Sequence, residues 1–570
     1  MLARSLLSLT LAGATAAAGI YRAPSSCERD CKCLPQDECW PDQEEWAQFN
    51  ATVGGRLVAT TPLASPCHDP NYDEKACAEL RKEWVYPMVH INSSSSLQAP
   101  IFANQSCDPF LPRSSPCTVG TYIRYAVDAR HVEDIRATLK FVRERNIRFV
   151  IRNTGHDFSG RSTGYGALAL WTHSLRGSEV IDWNDKHYQG KALRIGSGTL
   201  GYQAAEAAHD HGLVIVSGGC PSVGLIGGYI QGGGHSALST VYGMAADNTL
   251  SFDVVLTSGV LVTASRTENQ DLYWALSGGG GGTYGIVISA TIRAHPDAKV
   301  GGGSFSISAP KENPEKIYQI LDDFHAGVTR IVDAGGFVFY SIGKGFVVGS
   351  GITFYNKTKE EAQAAVQPLL DAVSSKDKGL AVQSNFTEFS SYFDHYVHYV
   401  GPLPNGVLTV GTTLQGGRLI PRSAFTKLAP TVKSLVEMGV TFNGFGINVT
   451  NHGHDNMNAI LPQWRESIAS TVLQLPFDFE KPIAEMYAQQ DRITKEVQPL
   501  IEAVTPGSGA YANEADFQQP DWQETFYGVN YKRLLEIKRK YDPESLLYGR
   551  TNVGSEDWVV SKNGRMCRAT

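Results

Sequence analysis

The sequence predicts an α+β protein built from several folding units, on three observations. At 570 residues the chain is too long for one compact core. From about Thr121 onward, strand patterns and helix patterns alternate. Its 57 glycines exceed the usual share of roughly 7% and crowd between Gly155 and Gly285. Glycine in that density lets backbone approach another group closely.

The first residues, MLARSLLSLTLAGATAAAGIYR, carry Arg4 ahead of a modest apolar stretch and Ala16-Ala17-Ala18 before Gly19. That pattern predicts a secretory signal peptide over 1–18, and hence secretion. The stretch is too short and too rich in small residues for a membrane anchor, which needs about 20 apolar residues. Eight cysteines follow before the first glycine-rich loop: Cys27, Cys31, Cys33, Cys39, Cys67, Cys77, Cys107 and Cys117. In a secreted chain they predict a disulfide framework in an arm over 19–117. A zinc knot from the first four would need the paired two-residue spacing of zinc ribbons, which they lack. Cys220 and Cys567 remain. Six sequons, at Asn50, Asn92, Asn104, Asn356, Asn385 and Asn448, fit a secreted glycoprotein.

TYIRYAV alternates as a strand. In VEDIRATLKFVRERN, Ile135, Leu139, Phe141 and Val142 fall at helical spacing, and the strand IRFVIRN follows. RNTGHDFSG then presents His156, ALALWTH reads as a strand, and YQAAEAAHDHG as a helix stopped by Gly212. LVIVSGG, 213–219, reads as a short apolar strand running straight into Cys220. FDVVLTSGVLVTAS predicts two strands across Ser258-Gly259, and ENQDLYWALSGGGGGTYGIVISATI a short helix, five glycines and a strand. These elements make a domain over 118–298. Over 299–504 the strands FVFYSIG, GFVVGSGITFY, VLTVGTTLQG and VTFNGFGINV alternate with helices in ENPEKIYQILDDFHAGV, KEEAQAAVQPLLDAV and SAFTKLAPTVKSLVEMG. An antiparallel sheet backed by helices is expected there. Residues 505–570 read as a return segment.

Fifty basic against 57 acidic side chains imply no polycationic face, which excludes nucleic acid as a partner. RNTGHDFSG, GGYIQGGGHS and SGGGGGTYG could each cradle a phosphate with backbone N–H groups. No GxGxxG opens a first strand–helix turn and GxxxxGK[ST] does not occur, so Rossmann dehydrogenases and nucleotide-driven motors are disfavoured. His209, His211, His235, His452 and His454 read as ordinary polar histidines, and no metal site is expected. His156 and Cys220 remain as two nucleophiles in glycine-dense loops that could bind metal, catalyse acyl transfer or carry a cofactor.

RNTGHDFSGRSTGYGALALWT, GGCPSVGLIGGYIQGGGHSALSTVYGMAADNTLSFDVVL and the closing AYANEADFQQPDWQETFYGVNYKRLLEIKRKYDPESLLYGRTNVGSE resemble the berberine-bridge-enzyme-like FAD-linked oxidoreductases. These belong to the vanillyl-alcohol oxidase and p-cresol methylhydroxylase superfamily. The N-terminal cysteines, NEAD, PDWQ and VGSEDW look most like secreted fungal flavoproteins of the isoamyl-alcohol-oxidase type.

The resemblance implies a two-part FAD-binding domain of the p-cresol methylhydroxylase (PCMH) type capped by a substrate domain. It implies FAD bonded twice, through His156 at the 8α-methyl and Cys220 at C6. That leaves eight cysteines for disulfides, with Cys567 over. Backbone at Asn153, Thr154, Gly155 and Asp157 would meet the pyrophosphate. Gly224, Gly228, Gly232, Gly233 and Gly234 would pass close to the ring and ribityl chain. Asp247, Asn248, Ile286, Val287 and Asn530 are further expected contacts. Tyr511 matches the tyrosine that takes the substrate proton. Asn443, Asn448, His452 and His454 are candidates to stand beside it. The implied reaction is oxidation of a small alcohol or sugar, with dioxygen giving hydrogen peroxide, by a monomer. The rival readings are a secondary-metabolite tailoring enzyme that dehydrogenates or cyclises, and a flavin-binding glycoprotein without turnover.

Overall fold

The computed structural model describes residues 30–453 and 457–569. The signal-peptide segment, Cys27 and His454 lie outside the described residues. No helix among the described residues is long and apolar enough to cross a membrane.

Two sheets build the first half. A four-stranded sheet runs Leu57–Ala59, Tyr125–Asp128, Leu168–Trp171, Phe149–Arg152, with its last three strands parallel. The helix Val132–Glu144 supplies the crossover. Its Asp134 carboxylate accepts the N–H groups of Arg130 and His131, and Ile135, Leu139 and Val142 turn into the core. A five-stranded antiparallel sheet runs Ser178–Asn184, Gln189–Gly196, Ile286–Arg293, Thr249–Val255, Leu261–Ser265. The predicted strand 213–219 shrinks to Leu213–Val214. Its partner is only His295–Pro296, and proline offers no N–H to extend the ladder. Ile215 and Val216 stay buried while the chain turns out of the sheet before Cys220.

The second half is a seven-stranded antiparallel sheet ordered Ala381–Phe389, Val300–Ser308, Phe346–Tyr355, Phe337–Gly343, Thr441–Gly446, Ser467–Pro476, Thr413–Pro421. Alternation splits its faces. Val338, Tyr340, Ile342, Phe442 and Leu473 pack with the helices Leu321–Asp333, Lys359–Lys376 and Ala429–Glu437 in one large core. The helix Lys359–Lys376 starts on a reciprocal cap: Thr358 Oγ accepts the Glu361 N–H at 3.2 Å and the Glu361 carboxylate accepts that of Thr358 at 2.8 Å. The opposite face carries Phe339 across from Phe445 and Ser341 across from Asn443.

The C-terminal segment joins these halves. Leu419 N–H donates to the Gly509 carbonyl at 2.8 Å, on the large sheet. On the other side, the ammonium of Lys538 is buried against the Asp542 carboxylate at 2.6 Å and donates to the carbonyls of Thr283 and Leu547. It thereby pins the five-glycine run to the helix Tyr531–Tyr541. The last hairpin, Trp558–Val560 with Met566–Arg568, returns to the N-terminal arm, where Arg568 N–H donates to Asp30 and Lys32 N–H to Met566.

That return corrects the cysteine expectation. Cys567 is not left over but bonds Cys31, and Cys33–Cys39, Cys67–Cys77 and Cys107–Cys117 complete four disulfides. The hairpin lays Cys567 opposite Cys31 in a bridge that sequence spacing cannot show. Among the described residues Cys220 is the free thiol.

The large core holds an anomaly. His325 is fully buried, neither ring nitrogen has a hydrogen-bond partner, and burial pulls its pKa from the ordinary imidazole value down to about 3. The folded state therefore binds fewer protons here than the unfolded chain between about pH 3 and 6.5. The stabilising effect of the neutral ring is complete above pH 6.5 and is lost as pH falls toward 3. We expect His325→Phe to flatten the fall of Tm between pH 7 and pH 4 relative to the native chain, measured by thermal melts across that range. An unchanged slope would contradict the assignment.

Candidate active site

His156 and Cys220 meet on one side chain. His156 Nε2 lies 2.9 Å from the Ser222 hydroxyl, and the Cys220 thiol 3.6 Å from the same oxygen. Ser222 itself is fully buried. Enclosure pulls the His156 pKa down to about 3, with the positive potential of His90 a lesser cause, so the imidazole is neutral and keeps a lone pair. Burial pushes the Cys220 thiol up, opposed by the Ser222 hydrogen bonds and reinforced by the charge of Glu514.

The His156 loop is fixed from both sides. Asn153 donates to the Ser197 carbonyl at 2.8 Å, and Asp157 takes the N–H groups of Ser159 and Ser162 at 2.9 and 2.8 Å. The arm reaches in as well. Gln98 donates through its backbone to the Gly155 carbonyl and through its side chain to that of Thr154, and the buried Arg152 donates to the Ser93 carbonyl at 3.1 Å. The N–H groups of residues 154–158 make no hydrogen bond among the described residues. Partnerless buried polar atoms belong to residues that touch this loop: Gln98 Oε1, Arg152 Nη1 and Ser197 Oγ. A run of free donors with unsatisfied polar neighbours fits a phosphate-bearing cofactor.

The second loop presses against the first. A Cβ at Gly224 would lie 2.1 Å from the Asn153 amide, and one at Gly232 would meet the Asn513 amide at 2.5 Å. Asn513 donates to the Gly228 carbonyl at 2.6 Å and to the Tyr511 hydroxyl at 2.8 Å, so the return segment is tied to the glycine run. Gly233 and Gly234 accept the N–H groups of Ala246 and Ala245. Val287 sits at a register shift in the strand Ile286–Arg293, which begins beyond the five glycines.

Other expected contacts are occupied elsewhere. Asn248 donates to the carbonyls of Tyr242 and Met244 and pairs with His295. Asp247 is held by Arg465 at 2.9 and 2.7 Å, and Asn530 donates to Ala459 and Ile460. These hydrogen bonds hold the three side chains against neighbouring loops and strands. Of the candidates to stand beside Tyr511, Asn443 is bound by Ser341 and Gln474, Asn448 by Asp333, and His452 by the Thr240 carbonyl.

Tyr511 is buried, and burial together with the Glu514 charge pushes its pKa up. Its actual neighbours are residues the sequence did not single out for the site. His235 Nε2 lies 3.0 and 3.2 Å from the two Glu514 oxygens. Its ring is boxed by Phe445 at 4.8 Å, Tyr511 at 5.5 Å and Trp464 at 5.9 Å between centroids. Phe339 extends this aromatic wall from Phe445 at 5.1 Å.

Residues 123–265 match the family described as FAD binding domain, and residues 510–554 the one described as berberine and berberine like. The FAD-linked oxidoreductase ZEB1 of Gibberella zeae is 45% identical over 540 residues, 95% of this chain and 95% of that protein. The bifunctional decalin synthase calF of Penicillium decumbens is 37% identical over 555 residues, 94% of this chain and 95% of that one. The crystal structure of the VAO-type flavoprotein MtVAO615 from Myceliophthora thermophila C1 superposes with a TM-score of 0.90 at 38% identity, covering 95% of this chain and 100% of that one. With the free-donor loop, the thiol–imidazole junction and the berberine-like return segment in place, the chain belongs to the vanillyl-alcohol-oxidase-type, berberine-bridge-enzyme-like family of FAD-linked oxidoreductases.

Proposed function

We propose that this FAD-linked oxidoreductase dehydrogenates a hydroxyl-bearing carbon of an apolar, ring-containing secondary metabolite. The observation that carries this reading is the aromatic box of Phe445, Trp464 and Tyr511 around His235, extended by Phe339. Such a wall favours flat or cyclic apolar surface. The likeness to a decalin synthase supports a tailoring role over oxidation of a small aliphatic alcohol or sugar. Secretion is part of the proposal and accords with four disulfides.

FAD would be held by His156 and Cys220 as two covalent anchors, and it supplies a two-electron acceptor for the substrate's hydride. The neutral His156 lone pair and the unpaired thiol are the groups such bonds require. The free N–H groups of residues 154–158 would receive the pyrophosphate. Tyr511 keeps its proton and so orients the substrate oxygen by donating to it. Dioxygen is the proposed final acceptor, giving hydrogen peroxide.

Anaerobic bleaching of the flavin absorbance by a donor panel tests the substrate class. Hydroxylated, apolar polycyclic donors should reduce the flavin, while short alcohols and gluco-oligosaccharides should not. Reduction by the sugars alone would overturn the reading. With an active donor, Tyr511→Phe should slow reduction roughly 100-fold and leave the bound flavin content unchanged. A rate equal to that of the native chain would remove Tyr511 from the site.

A further inference from the structure

The His235–Glu514 pair has the geometry of a proton acceptor. The two residues come from the glycine loop and the return segment, 279 positions apart, and meet with Nε2 bracketed by both carboxylate oxygens. A carboxylate in that position keeps the proton on Nε2. The other nitrogen, Nδ1, makes no hydrogen bond among the described residues and is therefore left with its lone pair. The ring cannot swing away. Phe445, Trp464 and Tyr511 box it, and the backbone carbonyl of His235 accepts the Tyr229 hydroxyl at 2.9 Å.

Tyr511 is differently equipped. Its oxygen already accepts a hydrogen bond from Asn513, and it is buried beside a carboxylate that disfavours a phenolate. It suits donation, not proton uptake. The charge of Glu514 is felt at both Tyr511 and Cys220, so the pair lies within electrostatic reach of the proposed flavin anchor and of the phenol.

We propose that His235 Nδ1, oriented and charge-balanced by Glu514, takes the proton of the substrate hydroxyl, with Tyr511 donating a hydrogen bond to the same oxygen. This rests on the dehydrogenation proposed above. The C–H bond breaks with its electron pair leaving as hydride to the flavin. The O–H bond breaks with its proton passing to Nδ1, and the carbonyl forms. Dioxygen then takes up the hydride equivalent and that proton as hydrogen peroxide. His235 is the catalytic residue of this step and Glu514 a positioning residue.

The test uses the intact flavoprotein. His235→Gln should keep the native content of bound flavin and its reduction by dithionite, while reduction by an active donor falls 100- to 10,000-fold. His235→Ala should regain part of that rate when imidazole is added, and Glu514→Leu should not. Glu514→Gln, which still accepts from Nε2 but carries no charge, should lose less than Glu514→Leu. A second readout needs no donor. Diethyl pyrocarbonate acylates unprotonated imidazole nitrogens, so peptide mapping of the native protein should find His235 modified, and more slowly modified in Glu514→Leu. His235→Gln reduced within threefold of the native rate would overturn the proposal, as would a His235 inert to the reagent. Should no donor reduce even the native flavin, the dehydrogenase reading fails by itself, and the mapping still decides whether His235 carries an available lone pair. Should His235→Gln fail to fold, the Glu514 variants and the mapping decide.

Discussion

The Ser222 hydroxyl is where the two cofactor loops become one site. It lies within hydrogen-bonding reach of both the His156 imidazole and the Cys220 thiol, from a fully buried position. The two residues follow different strands in different sheets, Phe149–Arg152 and Leu213–Val214. Their approach therefore depends on how the sheets are locked together, and the rest of the molecule serves that end. The Asn153 amide fills the space a side chain at Gly224 would need, so the loops can close only with glycine there. The disulfide-bearing arm closes the outer side through Gln98 and Ser93. The cysteine-rich region is thus a wall of the site as well as a covalent frame.

The return segment supplies the second constraint. Asn513 ties Tyr511 to Gly228, Glu514 reaches His235, and Lys538 grips the five-glycine run from within the core. A buried ammonium is tolerated only because Asp542 and two carbonyls surround it. Residues far apart in sequence are held to hydrogen-bond precision by these few polar links. Phe445 on the large sheet and Trp464 in the turn before its strand Ser467–Pro476 then pack against His235 and Tyr511.

Much of this was legible in the sequence. Helical spacing in 132–146 and 359–373, and strand alternation in FVFYSIG, mark elements the structure contains. The strand Val300–Ser308 was not visible, because VGGGSFSIS breaks its alternation with three glycines. The strand Ala381–Phe389 is the polar edge of its sheet and reads as a loop. His156, Cys220 and Tyr511 stood out by motif. His235 and Glu514 did not, since each is an ordinary residue until the fold brings them to 3.0 Å. Cys567 misled for the same reason, its partner lying 536 positions away.

The central claim is that the two loops hold a single FAD from both sides. Mass spectrometry of the denatured, trypsin-digested protein tests it directly. The account predicts the His156 peptide and the Cys220 peptide recovered as one species, joined through one FAD. Release of all FAD into solution on denaturation, with both peptides recovered unmodified, would contradict it.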